Sequence, residues 1–142
     1  MRLLRLPRWK KICLLSCLAV LTITGIAWLL LHQGRGADEL PSLAEPWLMR
    51  LHGLASFGAL LGLGAIVGGH VVAGWRITRR HRWTNQRMSG ILLGTLFGLT
   101  VLTAYMLYYF APESVRELIG WIHAVLGALI AVAWWIHQRP RH

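Results

Sequence analysis

Four histidines stand inside otherwise apolar stretches of this chain, in two pairs. His52 and His70 lie 18 residues apart in RLHGLASFGALLGLGAIVGGHVVAGWR, and His123 and His137 lie 14 apart in WIHAVLGALIAVAWWIHQ. An ionisable ring at the edge of so greasy a helix is costly. One taken alone reads equally as a hydrogen-bonded packing residue, whereas four at matching levels on two helices form a coincidence that packing does not demand. At about 100° per residue the two spacings equal about five full turns and about 40° short of four turns, so each pair shares one face of its helix. If the two helices run in the same direction, His52 meets His123 at one level and His70 meets His137 at the other. Two facing neutral imidazoles supply the axial ligands of one iron porphyrin, and two such pairs hold two. The axial rises differ, about 27 Å against about 21 Å. Moderate helix tilt and a small ligand offset at each site absorb the difference.

The elements that must position these rings are membrane spans. Of 142 residues 56% are hydrophobic and 14% charged, with a mean hydropathy of +0.52, far too apolar for a soluble domain of this size. Spans are predicted at 12–32, 47–75, 88–110 and 117–137, each long enough to cross a hydrocarbon core. They leave room for a single transmembrane domain, 1–142, of all-α class. The short connections favour a four-helix up-down-up-down bundle. The first run also has the basic start of a secretory signal, but it exceeds the length of a signal core and no small-residue cleavage site follows it. Cys13 and Cys17, one turn apart in that run, read as packing residues.

The net charge of +10 is explained by its distribution. Arg2, Arg5, Arg8, Lys10 and Lys11 precede the first span; Arg76, Arg79, Arg80, Arg82 and Arg87 lie between the second and third; Arg139 and Arg141 follow the fourth. The opposite side receives Asp38, Glu39, Glu45, Glu113 and Glu117, with only Arg35, Arg50 and Arg116. The positive-inside rule places both termini in the cytoplasm. Charge sorted in this way serves topology and does not describe a nucleic-acid surface. No carboxylate falls inside a span beyond Glu117 at the very start of the fourth, which argues against a transporter of protons or hard cations.

Around the histidines the residues suit a flat, bulky cofactor. Ser56, Ala59 and Leu63 continue the His52 face, and Gly127 lies one turn from His123, so small side chains leave space there. Gly90, Gly94 and Gly98 form a groove on the third span that fits either a porphyrin edge or, more commonly, another helix. Trp134, one turn before His137, either flanks the inner site or anchors the interface. Trp47, Tyr105, Tyr108, Tyr109 and Trp121 form an outer aromatic belt, and Trp9, Trp75, Trp83, Trp134 and Trp135 an inner one. Arg50 and Arg116 are the candidate partners of the outer haem propionates. Arg76, Arg79 and Arg80 are available on the inner side. His32, His81 and His142 read as interfacial or solvated residues, with His32 an alternative to His52 as outer ligand.

The chain resembles the small bacterial four-helix di-haem b-type cytochromes, membrane electron carriers related to cytochrome b561 and to the cytochrome subunits of respiratory enzymes. The resemblance covers about 51–137 and rests on LHG at 51–53, GGHVVAGWR at 68–76, TAYMLYY at 103–109 and WIHAVLGALIAVAWWIHQ at 121–138. It implies two bis-histidine b haems ligated by His52, His70, His123 and His137, and electron passage between a quinone pool and a partner redox protein or subunit. Many members place a ligand in the first helix, whereas here the first span offers none at depth. The rival expectation is a cofactor-free subunit that anchors or assembles a larger complex.

Overall fold

A computed structural model describes residues 7–36, 38–80 and 84–138. His81, Arg82, Trp83 and His142 lie outside the described residues, as do Arg2, Arg5, Arg139 and Arg141. The described chain is helical: α1 (Arg8–Gly34), α2 (Ala44–Ile66), a π turn (Val67–Val71), α3 (Val72–Arg80), α4 (Thr84–Tyr109) and α5 (Glu113–Gln138). Four helices are long and apolar enough to cross a membrane: Arg8–Gly34, the continuous run Ala44–Arg80, Arg87–Tyr109 and Glu113–Gln138. Helix is the only open-ended element that satisfies every backbone N–H and C=O within its own segment, which is what an apolar solvent demands.

The helix ends follow from local chemistry. The Pro7 carbonyl, just before α1, accepts the Lys11 N–H at 3.1 Å. Before α2, the Glu45 carboxylate turns back to accept the Ser42 N–H at 2.9 Å, while the Glu45 N–H donates to the Ser42 carbonyl, so a Ser-x-x-Glu stretch closes the helix start. Helix α4 ends where the N–H groups of Phe110 and Ala111 both reach the Met106 carbonyl. Pro112 follows, and its carbonyl accepts the N–H groups of Val115 and Arg116 as α5 begins. Glu113 in that first turn complements the positive end of the helix dipole.

The chain divides into two compact units, 1–74 and 75–142, with the boundary inside α3. In the first unit α1 packs against α2. Thr24 meets His52, Gly58 lies against Cys17 and Gly62 against Leu14. Residue numbers fall along one helix as they rise along the other, so the pair is antiparallel. Leu14, 2% exposed, is the most deeply buried side chain of this unit, with Thr24, Ala59 and Ile66 also buried.

In the second unit α4 and α5 pair the same way, since Thr103 meets His123 and Ser89 meets His137. Its core is Leu93, Leu96, Ile130 and Ala133, with Phe97, Leu126 and Trp134 packed against it. Arg87 places its guanidinium over the Trp75 ring at 5.8 Å. Large apolar side chains such as Leu54, Leu61, Leu102 and Val132 remain exposed, as expected of helices whose outer faces meet lipid chains.

The π turn changes one expectation. A π turn closes i to i+5 hydrogen bonds and takes one residue more than an α turn. The 18 residues from His52 to His70 therefore do not make five α turns, and His70 lags by up to about one residue's rotation, roughly 100°. The common face expected for His52 and His70 holds for a straight α-helix and not for this one. The same surplus residue shortens the rise between them, which narrows the length mismatch with His123 and His137. Those two sit on an uninterrupted α-helix, and both face α4.

Candidate functional site

Each histidine site is assembled inside one antiparallel pair. In the first unit, Nδ1 of His52 lies 3.0 Å from Oγ1 of Thr24 on α1. The next residue, Gly25, removes the side chain that would otherwise press on the ring, since a Cβ there would lie 3.4 Å from His52 Cε1. In the second unit, Nδ1 of His137 lies 3.0 Å from Oγ of Ser89, and a Cβ on Gly90 would lie 3.5 Å from His137 Cε1. Nδ1 of His123 lies 3.0 Å from Oγ1 of Thr103, and the residue after Thr103 is again small, Ala104. A hydroxyl residue followed by glycine or alanine is thus the socket for three of the four rings. The hydroxyls are spared a competing cost in an apolar medium because Thr24 and Thr103 also donate to carbonyls of their own helix.

His70 is different. It sits within the π turn after Gly68 and Gly69 and is partly exposed. Among the described residues no side chain is hydrogen-bonded to it. Among the described residues, a Cβ on Gly68 or Gly69 would meet nothing within 4 Å.

The remaining sequence candidates divide. Among the described residues, nothing lies within 4 Å of where a Cβ on Gly127 would stand. Ala59 is buried, 4% exposed. Of the glycines on α4, Gly90 faces His137, whereas Gly94 and Gly98 have open surroundings. The close approach thus serves an imidazole at Gly90, and it does not extend along the stripe. Trp134 packs into the α4–α5 core with its indole nitrogen buried and, among the described residues, without a hydrogen-bond acceptor.

Arg50, exposed, lays its guanidinium over the Trp47 ring at 4.9 Å. Arg116 is engaged in closing the α4–α5 turn. It donates to the carbonyls of Leu107 and Ala111 at 2.9 and 3.0 Å and pairs through Nε with Glu113 at 3.4 Å. All three of its nitrogens have protein partners, which makes it a C-terminal cap for α4.

His32 belongs to a separate cluster at the loop end of the first unit. Its ring stacks on Trp28 at 4.5 Å, and its Nδ1 lies 3.6 Å from the Glu45 carboxylate, which also pairs with Arg35 at 3.2 Å. Those partners hold His32 away from the His52 socket. A concavity of about 270 Å³ beside this cluster is lined by Leu30, Leu31, Arg35, Leu40 and Glu45 among others, and by none of the four histidines.

Among the described residues no three His, Cys, Asp or Glu side chains converge as they would around a bare metal ion. Thr24, Ser89 and Thr103 were not marked by the sequence. The signal that would have found them is the antiparallel register, which sets a hydroxyl residue opposite each of three histidines. Comparison of the chain with protein-family models, with curated proteins and with solved structures finds no match.

Proposed function

We propose that the protein is an electron-transfer cytochrome of the bacterial inner membrane, with b-type haem held between the second and fourth spans. In this reading the four helices run up-down-up-down with both termini cytoplasmic. His52 and His123 ligate an outer haem and His70 and His137 an inner one, and electrons pass between the quinone pool and a partner redox protein or subunit. The observation that carries it is the hydroxyl grip on Nδ1 of His52, His123 and His137. A metal-bound imidazole has its second nitrogen tied to an oxygen partner, which fixes ring orientation and raises ligand basicity.

When bound, the haem supplies one-electron redox chemistry at a potential that the chain tunes. The chain's own part is to hold and orient. Thr24, Ser89 and Thr103 set the imidazole planes, Gly25 and Gly90 let helices approach close enough for those bonds, and Gly127 keeps space beside His123. Arg50 is the outer cation for a propionate, while Arg116 is committed to its turn. Two imidazoles on each iron leave no open coordination position, so the reading is electron transfer and not oxygen activation. Stoichiometric carbon monoxide binding to the reduced protein would count against it.

The same bonds also support a second reading, a cofactor-free anchor or assembly subunit, because histidine–hydroxyl pairs between helices are ordinary membrane glue. A dithionite-reduced minus oxidised spectrum of the purified protein, with haem quantified per chain, separates the two. Sharp b-type bands at about two haems per chain are expected. No haem, from cells able to supply it, leaves the anchor reading.

A further inference from the structure

Two of the sockets fix more than ring position. A threonine hydroxyl carries one proton and accepts through its lone pairs. In the first unit Oγ1 of Thr24 lies 2.6 Å from the Val20 carbonyl and 3.3 Å from that of Leu21. A carbonyl only accepts, so the hydroxyl proton is committed to the helix's own backbone. At 3.0 Å from the same oxygen stands Nδ1 of His52. With no second hydroxyl proton to offer, that bond forms only if Nδ1 bears hydrogen and donates it.

The second unit repeats the arrangement, with the backbone carbonyl of Thr100 as a further acceptor for the His123 ring. Oγ1 of Thr103 lies 3.0 Å from the carbonyls of both Leu99 and Thr100, and Nδ1 of His123 stands 3.0 Å from it. The β-branched threonine side chain has little χ1 freedom in a helix, so the acceptor oxygen is held in place. A neutral imidazole with its proton on Nδ1 carries its lone pair on Nε2.

We propose that Thr24 and Thr103 are positioning residues that lock His52 and His123 in the Nδ1–H tautomer, so that Nε2 is the donor atom of each ring. The proposal deepens the haem reading, on which the identity of the acceptor, a porphyrin iron, rests. The lock itself is a property of each helix pair and exists before any cofactor is bound.

The test uses the full chain with ring-15N histidine in lipid nanodiscs, read by long-range 1H–15N correlation without haem and by haem titration. Wild type and the variants Thr24→Ser and Thr103→Ser are expected to keep the Nδ1–H form at the matched histidine. Thr24→Val, which keeps the shape and removes the oxygen, is expected to move His52 to the Nε2–H form and to weaken haem binding about 10- to 100-fold, whereas Thr103→Val leaves the Thr100 carbonyl in place and is expected to shift His123 less. An Nε2–H wild-type ring, a His52 tautomer unmoved by Thr24→Val, or a haem loss that serine does not rescue overturns the proposal. A chain that takes no haem yet shows the threonine-dependent tautomer sinks the haem reading and upholds the lock.

Discussion

A Cβ added to Gly58 would stand 2.9 Å from the sulfur of Cys17, so α1 and α2 meet there with no room for a methyl group. Gly58→Ala gains up to about 1 kcal/mol of helix propensity but overpacks the contact at roughly 1–3 kcal/mol, and net destabilisation is expected. Cys17→Ala makes the room. The double variant should therefore recover stability, with a coupling energy above about 0.5 kcal/mol in a double-mutant cycle of unfolding in micelles. Gly62→Ala, whose Cβ would lie 3.6 Å from Leu14, is an internal control expected to cost nothing. Additive behaviour of the Cys17 and Gly58 changes would show that the two do not touch.

The Glu45 cluster predicts an asymmetry. The Glu45 side chain is 7% exposed and that of Arg35 22%, and Glu45 also accepts the Ser42 N–H. Removing the arginine leaves a carboxylate shut away from water with its strongest partner gone. Removing the charge on Glu45 leaves an arginine that can turn toward solvent. Arg35→Met is expected to cost roughly 2–3 kcal/mol and Glu45→Gln about 1 kcal/mol, with the double variant close to Glu45→Gln alone. Thermal unfolding of the four proteins checks the order, and equal losses would mean that the pair is solvated.

Arg50 and Arg116 look equivalent in the sequence and are not equivalent in the fold. Arg116 forks onto the Leu107 and Ala111 carbonyls, which a lysine cannot do in the same geometry. Arg116→Lys should lower stability by about 1 kcal/mol and leave haem potentials unchanged. Arg50→Lys should leave stability unchanged, because its partner is the exposed Trp47 ring. Under the haem reading, Arg50→Gln should lower the potential of one haem, since a cation beside a propionate favours the reduced form. Spectroelectrochemistry of both variants decides, and a potential that responds to Arg116 instead would reverse the roles.

The spans were legible because length and apolar composition are properties of a run, not of its neighbours. Even so, each helix overshoots its run: α1 starts at Arg8 and the second span continues to Arg80, because basic side chains prolong a helix while their charges reach for the headgroups. The histidines were legible by type. Their partners were not, since Thr24, Ser89 and Thr103 are unremarkable inside apolar helices until antiparallel register sets each opposite a ring. The capping contacts of Arg116 were hidden for a related reason: the Leu107 and Ala111 carbonyls it meets are backbone, and carry no mark in the sequence.

The π turn at Val67–Val71 makes a last prediction. A π turn holds one residue more than the α ladder needs, so deleting one residue inside it restores that ladder and leaves the flanking faces where they were. Deleting a residue in plain helix rotates everything beyond it by about 100° and strips one side of its contacts. Deletion of Gly68 is therefore expected to keep the α1–α2 contacts and most of the stability, whereas deletion of Gly62, which lies against Leu14, should abolish folding. His70 lies inside the turn, so haem content of the Gly68 deletion reports its role. Loss of one haem of two, with the helix pair intact by unfolding, would mean that the surplus residue exists to aim His70. Full haem retention with unchanged bands would mean that the fold does not rely on the π turn to present it. Equal collapse of the two deletion variants would show that the turn holds no surplus residue.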